Sequence, residues 1–233
     1  MESNPLNHST NRRAFLGTLA TGAAAMSFAG LATPFQAIAN ETPHFPADDD
    51  PEAWFNKIKG KHRVVFDVTE PKGMMPFAWP KVFLLTNAAT GTPEKQNSVV
   101  VVLRHDAIPY AMDNALWAKY RFGEFFKIDD DKTKASAVRN AFWKPAAGDF
   151  AVPGIGPVSI GINELQDSGV MFCVCNMALT VYSAIFADNL KQKHEDVYKE
   201  FKAGVLPGIQ IVPSGVWALG RAQEHGCGYI QVS

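Results

Sequence analysis

The chain has 233 residues, of which 47% are hydrophobic, and its 22 Lys+Arg nearly balance its 23 Asp+Glu. Mixed charge close to neutrality excludes the basic footprint of a nucleic-acid binder. Beyond the N-terminal region no segment is apolar for long enough to span a bilayer.

The first forty residues read as an address. Asn11-Arg-Arg-Ala-Phe-Leu-Gly17 is a twin-arginine pattern, a weakly apolar Ala/Gly-rich stretch follows to about Leu31, and Ala37-Ile-Ala39 offers the small residues that a signal peptidase reads. Gly22, Ser27 and Gly30 interrupt the apolar stretch, so a stable membrane span is not expected. Residues 1–39 are therefore expected to be a signal peptide read by the twin-arginine export machinery, which places the mature protein in the periplasm or outside the cell envelope. Their removal takes away Glu2, Arg12 and Arg13 and leaves 194 residues with a net charge of −2. That length suits one domain with a sizeable core.

Residues 40–60 form a lead-in and a short helix. The Pro/Asp-rich segment 41–50 is followed by Asp50-Pro51, which starts a helix with Trp54, Phe55 and Ile58 as its apolar face, ended by Gly60. Arg63–Val68 is the first strand. Pro80–Ala89 reads as a helix closing near Gly91. Ser98–Leu103 is a near-continuous β-branched run, the pattern of a strand buried on both faces. A helix is expected from about Pro109 to Lys119, and a short one over Ile162–Asp167. Gly169 turns into the third strand, which runs to Cys175, and Asn176–Leu190 is helical. Glu195–Ala203 is a further helix, Ile209–Val212 the fourth strand, and Ser214 caps a helix reaching about Glu224. Gly228–Val232 closes the chain as the fifth strand.

Strands alternating with helices predict an α/β domain over residues 61–233, with a mainly parallel five-stranded sheet flanked by helices. Residues 120–160 interrupt the alternation. At about forty residues this connection far exceeds the median of about 4–6, and Phe122, Phe125, Phe126, Phe142, Trp143 and Phe150 argue that it folds. It is expected to be a lid over the strand ends or an oligomer contact, or simply to pack down on the sheet.

Ligands of parallel sheets gather at the carboxyl ends of the strands. His105 follows the second strand there, Cys175 ends the third and Ser214 follows the fourth. Cys173 and Cys175 share a face of their strand, because side chains alternate with a period of two. Cys175 also sits where a helix begins, and backbone N–H groups at a helix N-terminus favour a thiolate. The plainer reading makes both thiols small apolar core residues. Strand positions two apart lie about 7 Å from each other, near the limit for a disulfide, so any bridge must include Cys227.

Other patterns carry less. Cys175 with His105 would suit a soft metal, but no CxxC or HxxxH spacing supports one, and no metal site is assigned. Met74, Met75 and Met112 read as packing, and Gly226 and Gly228 beside Cys227 as turn chemistry. The GIGPVSIG segment lacks the lysine of a phosphate loop, and no G-x-S-x-G elbow occurs.

Taken in order, VVVVLRHDA, then GVMFCVCNMAL, then VLPGIQIVPSGVWALGRAQEHGCGYI, the chain resembles the DsrE/DsrF-like family over about residues 62–119 and 160–233. The resemblance implies a five-stranded sheet flanked by helices and a homotrimer or homohexamer. It also implies sulfur relay, in which one cysteine after the third strand carries sulfur as a persulfide, and Cys175 matches that position. The chain departs from relay members in its export signal and in the Asn176-Met177-Ala178 that follows the cysteine. Cys175 and His105 are the expected catalytic residues, and Arg104, Asn176 and Ser214 the expected substrate contacts. No cofactor is specified. The alternative is a non-catalytic module of the cell envelope that binds a small molecule, a metal or haem.

Overall fold

The computed structural model describes residues 50–232. The twin-arginine pattern, the apolar stretch, the Ala37-Ile-Ala39 triplet and most of the lead-in lie outside them. The first described element is α1 (Pro51–Phe55), where Asp50 accepts the Glu52 N–H at 2.9 Å and Pro51 occupies the first turn, which asks for no amide donor. The helix is shorter than expected. Ile58 lies beyond its end but is buried with Trp54 and Phe55 in one apolar cluster.

Five strands form one all-parallel sheet: β1 (His62–Val68), β2 (Asn97–Leu103), β5 (Val170–Cys175), β6 (Ile209–Val212) and β7 (Gly228–Val232). Their spatial order is β6-β5-β2-β1-β7. Central β2 is buried at every position, which is why its sequence is an unbroken apolar run rather than an alternating one. The fold is thus a three-layered α/β domain with a five-stranded parallel sheet. Among the described residues no helix is long and apolar enough to cross a membrane.

The two faces of the sheet are covered unequally. Val65, Val100, Val102, Cys173 and Val212 meet only α1 and α8 (Gly215–Glu224), through Trp54, Phe55, Ala218, Leu219 and Ala222. The other face, led by Phe66, Val101, Leu103, Phe172 and Val174, carries α2 (Met75–Ala89), α3 (Asn114–Tyr120), α4 (Phe122–Phe125), α5 (Ile162–Asp167), α6 (Asn176–Leu190) and α7 (His194–Ala203).

Two helix boundaries differ from the sequence reading. α2 begins at Met75, not Pro80. Pro76 takes the position in the first turn that Pro80 was expected to hold, and the Met74 carbonyl accepts the Phe77 and Ala78 N–H groups. The helix expected from Pro109 to Lys119 is two elements. A 3-10 segment runs over His105–Ala111, Met112 is extended in a bridge to Val205, and Asp113 then caps α3 by accepting the Leu116 N–H at 2.9 Å. Asp113 is a better N-cap than anything near Pro109, so the helix starts there.

The long excursion packs down on the thick face. Phe142 stacks on Phe77 at 4.2 Å and on Phe150 at 4.8 Å between ring centroids, and Phe122 and Phe126 are buried against Phe186. Asn140, fully buried, stitches it in place. Its Nδ2 donates to the Tyr110 and Met112 carbonyls and its Oδ1 accepts the Phe142 N–H. The space left beneath the excursion, beside Trp117 and Phe150, is only about 120 Å³, below the roughly 300–1,000 Å³ of ligand pockets. A two-residue hairpin, β3 (Ala151–Val152) with β4 (Gly156–Pro157), closes the segment.

Candidate functional site

The helices that follow the neighbouring strands β5 and β6 leave toward opposite faces of the sheet. α6 packs on the thick face through Leu179, Phe186 and Ala187, and α8 on the thin one through Ala218 and Leu219. In open α/β sheets such a divergence marks the favoured ligand position, at the carboxyl ends of the two strands. Cys175 pairs in register with Val212 at this point, and Ser214 lies two residues further on.

Cys175 is both the last residue of β5 and the N-cap of α6. Its Sγ accepts the Ala178 N–H at 3.3 Å, doing with sulfur what a serine, threonine or aspartate usually does with oxygen. The residue is buried, with 6% of its surface exposed. Its sulfur therefore faces the positive end of a fifteen-residue helix in a partly desolvated setting, where a dipole acts strongly.

Arg104 extends the edge of β2 toward the same place. Its N–H bonds to the Val68 carbonyl, which continues the β1–β2 ladder by one residue. By alternation its side chain falls on the thin face with that of Asp67. The two form a bidentate pair, Nε to Oδ1 at 2.7 Å and Nη2 to Oδ2 at 2.9 Å. Asp67 is almost wholly buried and also accepts the Tyr229 hydroxyl at 2.8 Å. The Asp67 hydrogen bond and charge, with smaller contributions from Tyr229 and Cys175, raise the Arg104 guanidinium above its ordinary value. Arg104 is thus a cation held in one place by Asp67. Gly215 makes this arrangement possible. A Cβ there would come within 2.6 Å of the Arg104 Cβ and Cδ.

The other expected residues are placed as follows. The Ser214 Oγ accepts the Trp217 N–H at 3.2 Å and so caps α8. The Asn176 side chain accepts the Tyr198 hydroxyl at 2.7 Å, which ties the start of α6 to α7. His105 has a left-handed backbone, φ 51°, and an exposed ring whose Nδ1 lies 3.2 Å from Asp106 Oδ1. The Tyr182 hydroxyl donates to the same oxygen. No hydrogen bond joins His105 to Cys175, whose sulfur is bonded to the Ala178 N–H instead.

Cys173 and Cys227 differ from Cys175. Cys173 is sealed in the thin-face core, and burial pushes its thiol well above the ordinary value. Burial likewise pushes the Cys227 thiol up to about 11. All three cysteines are free. Cys227 adjoins β7 and Cys173 lies on β5, with β2 and β1 between them. At about 4.8 Å per strand that separation exceeds the reach of a disulfide.

Sequence reasoning missed Asp67, Tyr229 and Gly215. Asp67 carried a readable signal, as the lone acid in the otherwise apolar run Val64-Val-Phe-Asp-Val68. Tyr229 carried none, because its role depends on β7 returning beside β1. Among the described residues no group of three or more His, Cys, Asp or Glu side chains is arranged to hold a metal ion.

The fold and site together define a parallel α/β protein with a cysteine-capped helix at the carboxyl edge of its sheet. No family model matches the chain, and no curated protein matches it. Among solved structures it is similar to a protein of unknown function from Methanobacterium thermoautotrophicum, at 17% identity over 74% of this chain and 100% of that one, with a TM-score of 0.38.

Proposed function

We propose that the protein handles reduced sulfur, with Cys175 accepting a sulfane sulfur as a persulfide. The observation that carries this reading is the Cys175 Sγ acting as N-cap acceptor of α6, 3.3 Å from the Ala178 N–H. The thiolate would attack a terminal sulfur of an inorganic polysulfide. A Cys175–sulfur bond forms, the adjoining S–S bond breaks, and the polysulfide shortened by one atom leaves with the electron pair. A helix N-terminus favours an anionic sulfur before and after transfer. The burial of Cys175 favours a donor of a few atoms over a bulky one.

The resemblance to the DsrE/DsrF-like family points the same way, and export by the twin-arginine route would set the reaction in the periplasm or at the cell envelope exterior. The trimer or hexamer that the resemblance implies has a candidate contact surface. Trp79, Val82 and Leu85 on α2 and Ile230 on edge strand β7 are all more than two-fifths exposed, and a patch of this kind marks an interaction face.

Intact-mass measurement after incubation with polysulfide tests the proposal. We expect one added sulfur on the native protein and none on Cys175→Ser, which keeps the cap and the fold. A folded native protein that gains no sulfur at Cys175, or a Cys175→Ser variant that gains as much, would sink the reading.

A further inference from the structure

The cavity beneath the excursion, about 120 Å³, joins a buried aromatic wall to an acidic rim. Tyr110 from the 3-10 segment, Trp117 from α3, and Phe142 and Phe150 from the excursion line it, and each is 8% exposed or less. Asp129 and Asp131, both exposed, border it toward solvent. The walls are held firmly. Asp130 accepts the Lys132 and Thr133 N–H groups at 2.8 and 3.2 Å, and the Ala137 N–H bonds to the Ile128 carbonyl at 2.8 Å. A cavity formed before its guest arrives lowers the ordering cost of binding.

The charges on these walls do not cancel. Four carboxylates (Asp129, Asp130, Asp131 and Asp149) face three cations (Lys127, Lys132 and Arg139), an excess of one negative charge. Lys132 is tied to Asp149 at 2.6 Å, and Arg139 stands 3.6 Å from Asp130. Asp131 lies 3.5 Å from Lys134, but both side chains are 76% exposed and solvent screens the pair. Asp129 forms no ion pair among the described residues.

An independent observation points to a ligand. The other polar side chains under the excursion are satisfied: Trp117 Nε1 donates to the Pro109 carbonyl at 2.8 Å, and Asn140 is bonded at both ends of its amide. Tyr110 is different. Its carbonyl accepts from Asn140, but its hydroxyl takes part in no hydrogen bond among the described residues, whereas a buried tyrosine hydroxyl usually finds a partner. Among the described residues Asn97 Oδ1 is the one buried side-chain N or O atom with neither a partner nor accessible surface. The Tyr110 hydroxyl therefore keeps accessible surface. With Tyr110 only 1% exposed and lining this cavity, that surface opens on the cavity. Burial first, and then the negative charge of Asp131, raise the hydroxyl above its ordinary value. The charge it senses is negative, which suits a cationic guest.

We propose that this cavity binds a small primary ammonium ion with a short apolar tail. An ammonium N–H donates to the Tyr110 hydroxyl oxygen, the exposed carboxylates neutralise the charge, and the tail lies among rings whose faces attract a cation. A cavity of roughly 150 Å³ takes a benzene-sized guest, so this one suits about five non-hydrogen atoms. It is far larger than the roughly 10–15 Å³ that one water needs. The site is independent of the chemistry of Cys175.

The test is an NMR titration of the full chain at pH 7 with three four-carbon probes: n-butylamine, present as its ammonium ion, 1-butanol and n-butyrate. We expect saturable binding of n-butylammonium that shifts the Trp117 indole resonance, at least about tenfold tighter than either other probe, because a hydrogen bond to a charged group is the stronger one. Tyr110→Phe removes a hydroxyl that bonds nothing, so it should keep or raise the melting temperature while weakening n-butylammonium about tenfold. Asp129→Asn/Asp131→Asn, altered only at exposed side chains, should weaken it by a similar factor without lowering the melting temperature. No saturable binding, equal affinity for amine and alcohol, or a preference for butyrate would overturn the proposal. Unchanged affinity in Tyr110→Phe would also overturn it, since the hydroxyl would then serve only water.

Discussion

The two ends of the sheet are built on opposite plans. At the carboxyl end the polar side chains are paired with one another or with helix ends. Asp67 is shared by Arg104 and Tyr229, Ser214 caps α8, and Asn176 is bonded to Tyr198. At the amino end Lys57, Lys59, Lys61 and Lys95 stand exposed on a surface cleft and form no ion pair among the described residues. The first arrangement suits a reactive group that must be held in one geometry and one charge state. The second leaves its side chains to solvent. Mutations should therefore cost folding energy at one end and leave it untouched at the other.

The largest effect belongs to Asp67→Ala. It leaves the Arg104 guanidinium beside an apolar strand with nothing to satisfy it, and it strands the Tyr229 hydroxyl. Breaking a buried pair costs about 3–5 kcal/mol, and the partial exposure of Arg104 brings the expectation to about 3 kcal/mol, read as a lowered urea midpoint. A loss below about 1 kcal/mol would mean that the pair is solvated and that Arg104 is not a fixed cation. Next is Gly215→Ala, whose new methyl group would sit within 2.6 Å of the Arg104 side chain. It should cost about 1–3 kcal/mol, read as a lowered urea midpoint. An unchanged midpoint would mean that the Arg104 side chain moves aside freely.

A smaller effect lies at alkaline pH. Burial raises the Cys227 thiol to about 11 in the folded state, whereas the unfolded chain loses that proton near the ordinary thiol value of about 8.5. The unfolded state then binds fewer protons than the folded one, so stability falls as pH rises through this window and is fully present below it. Cys227→Ala should show a shallower decline of urea midpoint from pH 8.5 to 11 than the native protein. Parallel curves would show that Cys227 titrates normally. The smallest effect closes the comparison. Lys59→Gln and Lys95→Gln should change stability by less than about 0.5 kcal/mol. A larger loss would show that the amino end is as tightly integrated as the other.

Much of this architecture was legible along the chain. The β-branched run 98–103 announced a doubly buried central strand, and the position of Cys175 between an apolar run and a helix put it at a helix N-terminus. These features depend on neighbours in sequence, and local geometry follows from local pattern. The helix boundaries were less legible. Pro80 and Pro109 both looked like helix starts, because a proline is tolerated in a first turn, yet Pro76 and Asp113 hold those starts in the folded protein. The excursion was recognisable as folded from its aromatics. That it lies flat on the thick face followed only from the stacking of Phe142 between Phe77 and Phe150.

The sequence by itself determined the parallel α/β class and the strand ends on which Cys175, His105 and Ser214 stand, because periods of 2 and 3.6 and the residues that cap helices are written locally. Tertiary structure decided which groups meet there. Asp67, Arg104 and Tyr229 come from strands far apart in the chain, and they converge because β7 returns to the far side of β1. His105, though next to Arg104 in sequence, pairs with Asp106 instead. A buried ion pair is a contact between distant segments, and no local pattern can specify its partner.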